Sequence, residues 1–109
     1  MKISIRDVGN AKVVRVEGDV DLGTSPVFRR TLFETLPLAS RLALNLEAIR
    51  YIDSSGIATL IEVLKDSQRL GKEFVLFGLS PAVLEVFRLT HVIRIFQVFQ
   101  TEQEALGTA

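Results

Sequence analysis

The chain has 109 residues, of which 48% are hydrophobic and 24% charged, a balance that suits one globular domain with a modest core and excludes a disordered polymer. Lys and Arg total 13 and Asp and Glu total 13, so the net charge is zero and no broad basic field argues for direct nucleic-acid binding. The absence of cysteine excludes disulfides, a thiol nucleophile and a cysteine-ligated metal, and a single histidine builds no histidine cluster.

The opening stretch, Met1 to Asp7, is interrupted by polar residues and does not read as a signal peptide. No apolar run approaches the ~20 residues of a membrane span, so a cytoplasmic protein is expected. Ile3 and Ile5 alternate with Ser4 and Arg6, and Val14 and Val16 alternate with Arg15 and Glu17. That period of two predicts a pair of strands, and Gly9-Asn10 between them predicts a hairpin. Gly18-Asp19-Val20-Asp21-Leu22 follows the second strand. Ser25-Pro26 then reads as a helix cap with proline at the first helical position. Phe28, Leu32 and Leu36 recur every fourth residue as its buried stripe, widened by Phe33, and Pro37 stops it.

Arg41 to Leu46 is a nearly continuous apolar run, suited to a central strand covered on both faces. A loop over Glu47 to Tyr51 leads to Asp53-Ser54-Ser55-Gly56. Ile57, Leu60, Ile61 and Leu64 fall on one face of a helix expected from about Ser55 to Leu70, with Thr59, Glu62, Asp66 and Arg69 on the polar side. Gly71 is its stop. Phe74 to Phe77 reads as a buried strand, and Ser80-Pro81 repeats the cap-plus-proline opening of a short helix with Val83, Leu84, Val86 and Phe87 inward. Thr90-His91 breaks that helix. Ile93 to Phe99 alternates as a last strand, and Thr101 to Glu104 is a capping box opening a terminal helix, with Gly107-Thr108-Ala109 frayed. The expected fold is α/β: a mostly parallel mixed sheet with an N-terminal antiparallel hairpin and about four helices. Leu42, Leu44, Leu46, Val75 and Phe77 are expected in its core.

Asp53-Ser54-Ser55-Gly56 joins a strand to a helix start through small polar residues. Such residues satisfy the free N–H groups of a first helical turn, and the positive end of the helix dipole tolerates a negative group such as phosphate. An ordinary cap is one reading of this stretch and a functional site is the other. A serine hydrolase is poorly matched. Ser54, His91 and Asp21 or Asp53 supply the residue types, but Gly-x-Ser-x-Gly is absent and His91 suits a helix end. No P-loop pattern exists, and Asp19, Asp21 and Asp53 are only a weak metal or hydrolytic signal. Asp21 reads equally as a turn acid or as a partner contact.

Leu44-Asn45-Leu46, Tyr51 and Ile52-Asp53-Ser54-Ser55-Gly56-Ile57 resemble the signature of the STAS domain family, closest to its stand-alone anti-sigma factor antagonists. Gly18 to Leu22 and the element order resemble the same family. The resemblance covers nearly the whole chain and implies a single STAS domain over residues 1–109. It implies that Ser54 is the phosphorylated serine, that Asp21 lies beside it, and that Asp21, Asp53, Ser54, Ser55 and Gly56 meet the partner. Ser55 is then the expected helix cap. The implied partners are an anti-sigma factor that is also a serine kinase, and a serine phosphatase. The ATP and metal of that cycle belong to those partners. The chain itself is expected to be a monomer or weak dimer, to need no cofactor and to catalyse nothing. The alternative is a STAS docking subunit of a transport or signalling complex without a phosphorylation cycle. The chain departs from the pattern at Thr90-His91, where many relatives carry a Ser/Thr-Gly turn.

Overall fold

The computed structural model describes residues 1–107; Thr108 and Ala109, part of the expected frayed end, lie outside the described residues. Strands β1 (Lys2–Val8) and β2 (Ala11–Val20) pair antiparallel about Gly9-Asn10. Gly9 takes φ 58°, the left-handed value that a two-residue hairpin turn opening on glycine requires. Helix α1 (Ser25–Thr35) and a 3₁₀ turn at Leu36–Leu38 lead to β3 (Arg41–Asn45). Next come β4 (Ile49–Ile52), α2 (Ser54–Leu70), β5 (Glu73–Phe77), α3 (Pro81–Leu89), β6 (Gln97–Phe99) and α4 (Glu102–Leu106). The sheet runs β1-β2-β3-β5-β6, parallel at every junction except the opening hairpin.

Strand pleating sorts the core into two layers. Val14, Leu44 and Leu76 stand in register on one face, where Phe28 and Leu32 of α1, Leu60 and Val63 of α2, and Val83 and Phe87 of α3 cover them. Val13, Ala43 and Val75 stand in register on the other face with Phe77, against Ala105 of α4. The central strands are therefore covered on both sides, as the apolar run of β3 predicts. Leu42, Leu44, Leu46, Val75 and Phe77 are all buried.

Away from the start of α2, the structure departs from the sequence expectations in four places. First, the loop expected over Glu47 to Tyr51 contains the start of strand β4, which forms because β2 extends through Gly18-Asp19-Val20 and pairs with it there: Gly18 with Ile49, Asp19 with Tyr51, Val20 with Ile52. A register break between Gly18 and Asp19 hid the pattern, and neither glycine nor aspartate favours a strand locally. Second, Thr24, not Ser25, stands at the N-cap of α1, while Pro26 occupies the first turn. Third, the buried face of α2 is Gly56, Ile57, Thr59, Leu60, Val63 and Ser67, with Ile61 and Leu64 half-buried at its margin. The helix packs against α1 as well as the sheet, which turns Thr59 inward. Fourth, only Gln97–Phe99 of the expected last strand forms β6. Phe96 leaves the sheet line to meet Phe87 and Phe74, with ring centroids 5.8 and 6.4 Å away. His91 takes φ 62°, the left-handed conformation that glycine adopts without strain.

Leu44 is fully buried between the helical layer and its neighbours on β2 and β5. Leu44→Ala is expected to lower unfolding free energy by about 2–5 kcal/mol, read from urea denaturation.

Candidate functional site

The β4 strand determines where the site lies. Its pairing with the end of β2 is continued by the Asp53 N–H, which donates to the Val20 carbonyl at 3.0 Å. The chain then turns into α2 within one residue. Asp21 follows Val20 and Asp53 follows Ile52, the register partner of Val20, so the two acids leave the same end of adjacent parallel strands.

Asp53, not Ser55, is the N-cap of α2. Its backbone is extended (φ −105°, ψ −172°), and its Oδ1 accepts from the Ser55 N–H at 2.9 Å and the Gly56 N–H at 3.3 Å. The Ser55 hydroxyl donates to the same oxygen at 2.5 Å. Aspartate reaches the first-turn amides as readily as serine does, and here it stands one position nearer the strand. The Ser55 hydroxyl bond, supported by the Gly56 and Ser55 amides and opposed by partial burial, holds the Asp53 carboxyl below the usual carboxylate range.

Ser54 is the first residue of α2, exposed, and its side chain makes no hydrogen bond among the described residues. Ser55 is half-buried and its hydroxyl is engaged. Gly56 is buried, and a Cβ placed there would stand 2.6 Å from Cγ1 of Ile52 and 2.7 Å from Cγ1 of Val20. Only glycine lets the first turn of α2 press this closely on β4 and β2.

Asp21 caps its own turn. Its Oδ1 accepts from the Gly23 N–H at 2.9 Å, the Thr24 N–H at 3.1 Å and the Thr24 hydroxyl at 3.3 Å. The turn-acid reading of Asp21 therefore has a structural basis. No hydrogen bond joins Asp21 to Ser54, and Oδ2 of both Asp21 and Asp53 accepts none among the described residues. Each acid uses one oxygen for the fold and leaves the other open.

Three neighbours escaped the sequence reading as site residues. Leu22 is 79% exposed beside Asp21, and Tyr51, the register partner of Asp19, is 53% exposed. Arg50 pairs with Asp19 at 3.5 Å on the surface. An apolar residue in a polar turn was the available signal for Leu22. Tyr51 and Arg50 needed β4 to be recognised as a strand. His91 lies beyond the end of α3, where its N–H donates to the Arg88 carbonyl. Among the described residues, no helix is long and apolar enough to cross a membrane.

The model of the STAS domain family matches residues 2–105. The chain is 27% identical over 109 residues to the anti-sigma-B factor antagonist of Listeria monocytogenes serovar 1/2a, covering 98% of this chain and 94% of that one. Among solved structures it resembles an anti-sigma factor antagonist from Mycobacterium paratuberculosis, with TM-score 0.86, 24% identity, and coverage of 97% of this chain and 91% of that one. It also resembles the Bacillus cell fate determinant SpoIIAA in its phosphorylated form, with TM-score 0.73, 19% identity and 97% coverage of both chains.

Two outcomes follow from the helix start. Gly56→Ala is expected to destabilise the protein by about 1–3 kcal/mol through overpacking against Ile52 and Val20, measured by thermal or urea unfolding. The second outcome concerns pH. A lowered folded value means that the Asp53 cap contributes fully above the ordinary carboxylate range and is lost as pH falls through that lowered value. Wild type should therefore lose more stability on acidification than Asp53→Asn, whose neutral cap does not titrate, in urea midpoints followed against pH.

Proposed function

Since the chain belongs to the STAS domain family, we propose that it is an anti-sigma factor antagonist, a regulatory binding protein switched by phosphorylation of Ser54. The observation that carries this reading is the division of labour at the start of α2. Asp53 and Ser55 hold the helix, while the Ser54 hydroxyl stays exposed and unbonded. A kinase can therefore take the Ser54 hydroxyl without removing a cap. The names of the relatives supply the partner class, and the phosphorylated SpoIIAA structure shares this fold.

Unphosphorylated, the surface around Ser54 offers a hydroxyl donor, the open oxygens of Asp21 and Asp53, and the exposed Leu22 and Tyr51. It binds an anti-sigma factor and so frees the sigma factor. That anti-sigma factor, acting as a serine kinase, transfers the γ-phosphoryl group of ATP to the Ser54 oxygen. The hydroxyl proton leaves and ADP departs. Phosphate adds about −1.5 to −2 charge at neutral pH beside Asp53. The N-terminal dipole of α2 offsets part of it, so the fold tolerates the group while the docking surface becomes more strongly negative and changes shape. A phosphatase then restores the hydroxyl. Residues 1–109 act as one STAS domain in this cycle, and Gly56 serves it by holding the Ser54 turn against the sheet.

The test uses the cognate kinase and ATP with wild type and Ser54→Ala, read by intact mass and by affinity for the unmodified partner. Wild type should gain one phosphate and lose affinity. Ser54→Ala should gain none, keep binding, and change stability by less than about 0.5 kcal/mol, as surface substitutions do. Equal labelling of Ser54→Ala would place the phosphate elsewhere. No phosphate on wild type would leave a docking subunit without a cycle.

A further inference from the structure

The outer edge of β1 is the one long strand edge that the sheet leaves open among the described residues. β6, at the opposite margin, has only three residues. β1 has seven, with no proline and no register break. Natural edges are commonly blunted by such features or by charges; β1 carries only the charges of Lys2, Arg6 and Asp7, the last two paired within one copy.

Which backbone groups of β1 face outward follows from its neighbour. On β2, the Asn10 carbonyl accepts from the Ser40 N–H and the Gly18 N–H donates to the Ala48 carbonyl, so the even-numbered residues face β3 and β4. The odd-numbered residues face β1. Their register partners are Lys2, Ser4, Arg6 and Val8, whose N–H and C=O groups are turned inward to β2. Ile3, Ile5 and Asp7 turn theirs outward.

These three residues are symmetric about Ile5. We propose that β1 is a homodimerisation edge, at which a second copy of this chain pairs antiparallel about a two-fold axis through Ile5. In that register Ile5 meets Ile5 of the second copy and Ile3 meets its Asp7. Every outward N–H and C=O of the three residues then finds a partner. Any register shifted by two residues leaves some of them unpaired, and a shift by one would place opposite faces of the two sheets together.

The side chains agree with this register. Ile5 is 48% exposed although it shares a face with the half-buried Ile3 and lies in register with Val14, which is fully buried. A second Ile5 would cover it. No like charges stand directly opposite: Arg6 meets Ser4 of the second copy and Lys2 meets its Val8. Arg6 is already paired with Glu102, and Asp7 with Lys12, within one copy. An isologous contact of this kind closes at two chains. It is independent of the reading of Ser54.

Sedimentation velocity on the full chain over a wide concentration range, with amide exchange followed by NMR, tests this. A concentration-dependent dimer is expected. The Ile3, Ile5 and Asp7 amides should gain protection as it forms, while those of Ser4 and Arg6 are protected throughout. Ile5→Lys sets like charges opposite each other and removes the apolar contact, and should weaken the dimer about tenfold or more. Ile5→Pro removes an outward N–H and should do the same. Both should keep an unchanged exchange pattern in β2, which shows that the hairpin is intact. A wild type that stays monomeric at its solubility limit overturns the proposal. So does a dimer that survives both variants, or one whose Ile5 amide exchanges freely.

Discussion

One carboxylate oxygen organises the start of α2. Oδ1 of Asp53 receives two backbone N–H groups and a hydroxyl, while the Asp53 N–H extends the pairing of β2 with β4. The first turn of a helix carries amides without internal partners, and a turn lodged against a sheet has little water to satisfy them. Asp53 answers both demands at one position. It ends a strand ladder with its backbone and opens a helix with its side chain. Gly56 completes the arrangement, since any Cβ there would enter the space held by Ile52 and Val20.

The adjacent serines take different roles as a result. In an α-helix, successive side chains point about 100° apart, so Ser54 and Ser55 cannot share an environment. Ser55 folds back onto the cap and is half-buried, whereas Ser54 turns to solvent. The Asp21 turn uses the same device, with one oxygen closing the turn at the start of α1 and one left open. Rigid surroundings for an exposed hydroxyl suit the proposed switch, in which a partner reads the surface in two chemical states. The proposed phosphorylation would add charge at a hydroxyl that no contact of the fold uses.

The sheet brings these turns together through the unusual length of β2. Its first half pairs with β3 and its second half with β4, on the same side, with the register break at Gly18 and Asp19. Gly18 there has φ 116°, a value that side-chain-bearing residues rarely adopt. The opposite side of β2 is occupied by β1, whose own far side meets nothing among the described residues. The Ser54 surface and the β1 edge thus lie on different parts of one hairpin-based scaffold.

The sequence by itself determined the alternation that makes β1 and β2, the apolar runs that make β3 and β5, the helical spacing of α1 and α2, the Ser80 and Thr101 caps, and the Asp53 to Gly56 stretch as the place to look. Those are local signals: period, proline, glycine and short-range side-chain-to-backbone bonds. Tertiary structure decided what depends on neighbours distant in the chain. Strand β4 exists because the end of β2 offers it a partner, not because Ile49 to Ile52 favours extension alone. Thr59 turns inward because α1 lies across α2, and Phe96 leaves the alternating pattern of Ile93 to Phe99 because Phe74 and Phe87 offer it an aromatic pocket. The choice between Asp53 and Ser55 as cap, and with it the freedom of Ser54, was open to both residue types. It was settled by where β4 ends, since the last ladder bond sets Asp53 in the extended conformation that an N-cap requires.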